Sequence, residues 1–491
     1  MHKLRLKIHE NKLFFLVFLA TLLPYFLYGF RYFPILDDYI QYWGYPAHEN
    51  LSHIYFTIGT ISTRPLASLL DPAFWGKFWP VMGLALLLIT ALHCFSGLLF
   101  TKTLQRFSVS LSPLFLLIYL LFPLGMEGRY WISASTRLIP GLFFASVSLW
   151  FLSRFLQEKP SVKAFIPFAL FQLIACGFYE SVAIFSVTAA VLLFFLAYYQ
   201  NRNRFYWIVP AVSFCNLGLL FTYYKVFADL GLQGSRADSS IPLSALPEKV
   251  LEVVRQVLDA FTLLYESTIK GSLAGVSLLF SKGFWGVLLL IATLVLCFVI
   301  SRFSKCNKTI SCITFLGFEI AGIVLFFAPL LPNALAEDVW ITNRSIFVSI
   351  IGIALITEPF WSLFHKKHFR QALIFVIAFI FITANVNEYN VYKRANELDT
   401  KLLDQIIFEL EDAVVSGEKA LVVYLPEEVL VSQNAFYKDH VKSVFDSDWA
   451  LTGALRARLK SLTLQQALPV FPGQSVNVEN AQVIIIENID K

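Results

Sequence analysis

The chain has 491 residues, 57% of them hydrophobic and only 15% charged, with a formal net charge of +5. That is far more apolar surface than a soluble core can hide, so composition alone points to a polytopic membrane protein and excludes an ordinary cytosolic enzyme. The basic residues are scattered through short connections with no long patch and no RNA or DNA motif, which argues against nucleic acid as a partner.

The first apolar run follows His2-Lys3-Leu4-Arg5-Leu6-Lys7. It is longer than the apolar core of a signal peptide and lacks a small-residue cleavage site, so it reads as an uncleaved anchor. Apolar windows give about eleven candidate spans, at roughly 13–30, 78–100, 108–124, 138–153, 164–178, 181–199, 205–227, 283–301, 310–330, 345–363 and 370–386. Alternate connections carry Lys102 and Arg106, Arg154 to Lys163, Arg202 and Arg204, Arg302 to Lys308, and Lys366 to Arg370. The positive-inside rule makes that side, and the N-terminus, cytoplasmic. The opposite face then holds the loop 31–77, Gly125 to Arg137, the turn Gly177-Phe178-Tyr179-Glu180, Ala228 to Lys282, Leu331 to Arg344, and the tail. A hairpin of two spans must fit within residues 164–199; a single helix there would move every later loop to the other side.

Within the first loop Leu51, Ile54, Tyr55 and Ile58 repeat at helical spacing, and Val250, Val254, Val257, Phe261 and Leu264 do so after Pro247. Both patterns read as amphipathic helices lying in the interface, where they would shape a lateral opening for a lipid-borne ligand or simply pack the loops. After the last span the composition turns charged. Glu388 to Glu418 is helical in period, Ala420 to Leu425 and Val483 to Ile486 read as buried strands, and Trp449 to Leu462 as a helix between them. The expected fold is therefore an all-α polytopic bundle over 1–387, with a small soluble extracytoplasmic α/β domain over 388–491.

The charges of the non-cytoplasmic face lie at span ends: Asp37 and Asp38, Arg64 and Asp71, Glu127, Arg129 and Arg137, Glu180, and Glu337, Asp338 and Arg344. Ionisable groups at that depth are costly and mark functional cavities. A carboxylate can accept the proton of an attacking hydroxyl, and arginines can hold a phosphate and stabilise it as it leaves. Structural roles are open for the same residues: Asp37-Asp38 as a helix cap or a mark of the water interface, Asp71-Pro72 as a turn or an N-cap with proline at the first helical position, Arg129 and Arg137 as interfacial anchors beside Tyr130-Trp131. The six cysteines form no CxxC pair, and His48 and His53 lack a third partner, so no metal site is expected. No P-loop, HExxH or GxSxG motif is present.

A cytoplasmic N-terminus, one span, a long external loop opening on Asp37-Asp38, many further spans and an external tail resemble the GT-C superfamily of integral-membrane glycosyltransferases. Among these the chain is most similar to bacterial serotype-converting glucosyltransferases, through Asp37-Asp38, Gly128-Arg129 with Arg137, and Phe178-Tyr179-Glu180. The resemblance implies a polyprenyl-phosphate sugar as donor, a surface glycan or lipid-linked acceptor, and no obligatory cofactor. It also implies a bacterial inner-membrane location, Asp37 or Asp38 as catalytic base, and Arg129, Arg137 and Arg344 as candidates for the donor phosphate; the placement of the charges adds Glu180 as a catalytic candidate and Arg64, Glu127 and Asp338 as substrate-binding candidates. The alternatives are a transporter or lipid-linked sugar flippase, or a non-catalytic scaffold.

Overall fold

The computed structural model describes residues 2–47, 51–57, 60–62, 64–158, 160–231, 243–303, 312–335, 339–426 and 443–486. The chain opens with α1 (His2–Leu22), continued by a 3-10 turn to Tyr28, and the first loop carries α2 (Pro65–Ala73). There follow α3 (Met82–Arg106), α4 (Pro113–Leu121), α5 (Met126–Tyr130), α6 (Ile132–Gln157), α7 (Val162–Cys176), α8 (Glu180–Asn201) and α9 (Ile208–Asp229). The second half has α10 (Leu246–Thr262), α11 (Gly271–Ser281), α12 (Gly283–Ser301), α13 (Cys312–Phe327), α14 (Leu331–Ala334), α15 (Asn343–Phe347), α16 (Ile350–Ser362) and α17 (Lys367–Phe408). The tail adds α18 (Asp412–Val415), β1 (Ala420–Tyr424), α19 (Asp448–Leu459), β2 (Ala467–Val470) and β3 (Ala481–Ile485).

Among the described residues seven helices are long and apolar enough to cross a membrane: Trp75–Arg106, Ile132–Gln157, Glu180–Asn201, Arg204–Asp229, Gly283–Ser301, Ile313–Ala334 and Lys367–Phe408. Lys12–Tyr28, Val162–Cys176 and Ile350–Ser362 are shorter apolar helices. The molecule is thus a helical membrane protein. The 164–199 segment is a hairpin, with α7 and α8 joined by a three-residue turn and tied by Gln172 Nε2 donating to the Ser186 carbonyl at 3.3 Å. Helix α6 packs between α3 and α7, α17 lies on α11 and α12, and α16 on α13 and α4. Where α13 crosses α16 the backbones touch: a Cβ at Gly352 would stand 2.5 Å from the Gly322 carbonyl, so only small residues permit this crossing.

The long helix α17 corrects the expected boundary at 387/388. Its 42 residues run through that point without a break. At 1.5 Å per residue it is about 60 Å long, twice the hydrocarbon thickness, so its far half leaves the bilayer as a strut. Leu402, Leu403 and Ile406 on this strut belong to the same buried cluster as Leu421, Val423, Phe445 and Leu455 of the tail. The tail therefore shares a core with the bundle through α17. Its sheet is parallel with β1 in the centre, Leu421 lying opposite Ala467 of β2 and Gln482 of β3. Strand β2, which short apolar runs do not announce, sits at an edge, where Pro469 is tolerated.

Candidate functional site

Gly29 and Phe30 turn the chain off the end of α1 with positive φ, and Leu36 (φ +40°) turns it again just before the two aspartates. Asp38 points inward and is fully buried. Its Oδ2 accepts from the Tyr32 hydroxyl at 2.7 Å and from Ile35 N at 3.1 Å, while Oδ1 accepts from Ser133 N at 2.9 Å. The Tyr32 hydroxyl in turn accepts from Ile132 N at 2.9 Å. The first two backbone N–H groups of α6 are therefore capped by the first loop, and a carboxylate sits at the positive end of the helix dipole. Burial nevertheless pushes the Asp38 carboxyl up to about 7, the three hydrogen bonds offsetting only part of that cost, and the neighbouring Asp37 charge adds to it. Asp38 does cap a helix, but one that begins nearly a hundred residues later. Asp37 remains half-buried and accepts from Trp449 Nε1 of α19 at 3.3 Å.

One turn along α6, Arg137 forms an ion pair with Asp71, with guanidinium nitrogens at 3.1 and 3.0 Å from Oδ2. The other oxygen of Asp71 accepts from Gln41 Nε2 at 2.6 Å and Thr136 Oγ1 at 3.4 Å. Asp71 does not form the turn expected for Asp71-Pro72. Pro65 occupies the first helical position instead, and Asp71 falls in the last turn of α2, 1% exposed and facing α6. Burial raises its carboxyl, and Arg137, Thr136 and Arg64 pull it back down. Arg64, just before α2, contacts Glu180 at 3.1 Å and stacks on the Tyr179 ring at 3.9 Å. Leu66 N donates to the Gly177 carbonyl at 2.9 Å, which fixes α2 against the α7–α8 turn. Asp71, Tyr45 and Asp37 all act electrostatically on Arg137, and Arg64 acts on Asp71, so the Arg137–Asp71 and Arg64–Glu180 pairs feel one another and Asp37 feels the first.

The remaining described candidates have other partners. Arg129 is buried, and its guanidinium donates to the Leu120 carbonyl and to Asn385 Oδ1 at 2.8 Å, with Met126 Sδ at 3.4 Å. Asn385 Nδ2 donates to the Leu121 carbonyl at 2.8 Å. Together they cap the C-terminal carbonyls of α4, so two of the three guanidinium nitrogens of Arg129 serve the fold; the expected phosphate contact would have to displace them. Glu127 is 2% exposed, and both it and Glu388 act on the buried Tyr392. Arg344 lies over the Trp131 ring at 5.1 Å. Asp338 lies outside the described residues. An open groove of about 690 Å³ between the end of α17 and β3 is lined by Lys401, Asp404, Gln405, Phe408, Glu409 and Ile484 to Ile486, and none of these candidates borders it.

The structure thus links Arg64, Arg137 and Glu180 through Asp71, leaves Asp37 within electrostatic reach of Arg137, and gives Asp38 and Arg129 to the capping of α6 and α4. No family model matches the chain, and neither a curated protein nor a solved structure matches it at a significant level.

Proposed function

We propose that this protein is a GT-C-like inverting glycosyltransferase that moves a sugar from a polyprenyl-phosphate donor to a surface glycan or lipid-linked acceptor. In this reading it crosses a bacterial inner membrane about eleven times, with the N-terminus cytoplasmic and the tail and charged site on the far side. The observation that carries the proposal is the joined Arg137–Asp71 and Arg64–Glu180 pairs, with the half-buried Asp37 carboxylate within electrostatic reach of Arg137. Asp37 accepts the proton of an acceptor hydroxyl. The hydroxyl oxygen then bonds the anomeric carbon as the carbon–oxygen bond to phosphate breaks, and the polyprenyl phosphate leaves as an anion. Arg64 and Arg137, each partly open to solvent, neutralise that charge, with Arg344 as a further candidate. Asp38 acts here as a positioning residue, holding Asp37 against α6.

Purified protein incubated with radiolabelled polyprenyl-phosphate sugars and glycan acceptors tests this. Asp37→Asn should lower transfer by about a hundredfold at unchanged yield. Transfer by Asp37→Asn at the wild-type rate removes Asp37 as base. Flipping of the lipid-linked sugar in proteoliposomes without any transfer assigns the charges to a transport path instead.

A further inference from the structure

The tail reaches back to the first loop at one point, and it does so rigidly. Helix α19 is buried from Ala450 to Leu455. A Cβ at Gly453 would meet the Tyr39 carbonyl at 2.7 Å, so the helix backbone lies directly against the turn that follows Asp38. Arg456 reinforces the seat by donating to the Leu464 carbonyl at 2.8 Å and the Trp43 carbonyl at 3.4 Å. Just upstream of the helix, the Asp399 carboxylate on the α17 strut accepts from Ser443 Oγ at 2.5 Å and Val444 N at 3.1 Å. On this fixed helix Trp449 is 51% exposed, with its indole N–H donating to Asp37.

A half-exposed indole costs hydrophobic free energy, and here it is held in place beside a carboxylate. We infer that Trp449 is the sugar-binding platform of the acceptor site, taking the apolar C–H face of a pyranose ring and thereby making the tail the element that selects the acceptor; this rests on the transferase reading above. The geometry is specific. The indole N–H bond lies in the ring plane, so Asp37 stands at the rim of the platform. A pyranose stacked on the face presents its equatorial hydroxyls at the same rim, where Asp37 can accept one in place of the indole N–H.

The full chain in nanodiscs, probed by saturation-transfer NMR with methyl glycosides of glucose, galactose, mannose, rhamnose and N-acetylglucosamine, tests the platform without turnover. The wild type should transfer saturation to at least one glycoside. Trp449→Ala should weaken that binding about tenfold, the loss expected from deleting one stacked aromatic face. Trp449→Phe, which keeps a ring and loses the N–H, should bind nearly as the wild type. Equal binding by Trp449→Ala, no binding to any glycoside, or equal losses in both variants overturns the inference. Transfer from radiolabelled polyprenyl-phosphate sugars to glycan acceptors by the wild type reports separately on the transferase reading, so glycoside binding without transfer would retain a sugar platform at Trp449 and reject the enzyme.

Discussion

The buried charges Asp38 and Arg129 and the partly exposed charges before α2 and along α6 differ in what they are bonded to. Asp38 and Arg129 are buried and bonded chiefly to backbone N–H groups, carbonyls and neutral side chains, capping α6 and α4 respectively. Arg64 and Glu180 keep about a fifth to a quarter of their side chains in water and pair with each other, while Arg137, open to the same extent, holds the buried Asp71 and so belongs to both sides. A buried charge held by main-chain groups cannot change partners without unfolding something, whereas a partly wet ion pair can exchange one ion for a ligand at small cost. The first set therefore holds the shape of the site, and the second is free to serve it. Asp37 and Asp38, adjacent in the chain, fall on opposite sides of that division.

The largest expected effect tests the structural side. Asp38→Ala leaves Ser133 N, Ile35 N and the Tyr32 hydroxyl without their acceptor, and at about 1–3 kcal/mol for each buried donor the variant should fail to accumulate as monodisperse protein on size exclusion. A variant as stable as the wild type would erase the distinction. Next, Arg137→Leu strands the buried Asp71 carboxylate and should cost about 3 kcal/mol in thermal unfolding, most of it recovered in Arg137→Leu/Asp71→Leu. Failure of the double variant to recover would show that α2 needs more than charge pairing.

A smaller effect concerns pH. Asp38 binds its proton more tightly in the folded protein, at about 7, than in the unfolded chain, near 3.8. The native state thus holds more protons across that window, and stability contributed at this site falls as pH rises through it and is level below it. Melting temperatures should therefore decline more steeply with rising pH in the wild type than in Asp38→Asn; parallel profiles would place the carboxyl in a wetter setting. Smallest of all, Arg64→Ala and Glu180→Gln should each lower stability by about 1 kcal/mol or less in the same melts. A loss as large as that of Arg137→Leu would move this pair to the structural side.

Much of the architecture is legible from local pattern. Long apolar runs mark the membrane helices, the alternating four- and three-residue spacing of Val250, Val254, Val257 and Phe261 marks α10, and the runs at Ala420 and Val483 mark two of the three strands. The same local reading misplaces the start of the tail, because the change from apolar to charged residues near 387 records where α17 meets water and the helix itself continues. It also reads Asp71-Pro72 as a turn, since nothing nearby announces a partner sixty-six residues away.

By itself the sequence determined that the protein is a helical membrane bundle, that its ionisable groups cluster at the ends of apolar segments, and that a mixed helix–strand tail follows. Both the length of an apolar run and the period of an amphipathic one are properties of contiguous residues. Only the tertiary structure decided that Asp38 is buried while Asp37 is not, that Arg129 caps α4, that Asp71 feels both Arg137 and Arg64, and that Trp449 meets Asp37 across 412 positions. A charge takes its role from the partner and the amount of water it meets, and those are set by how distant helices pack.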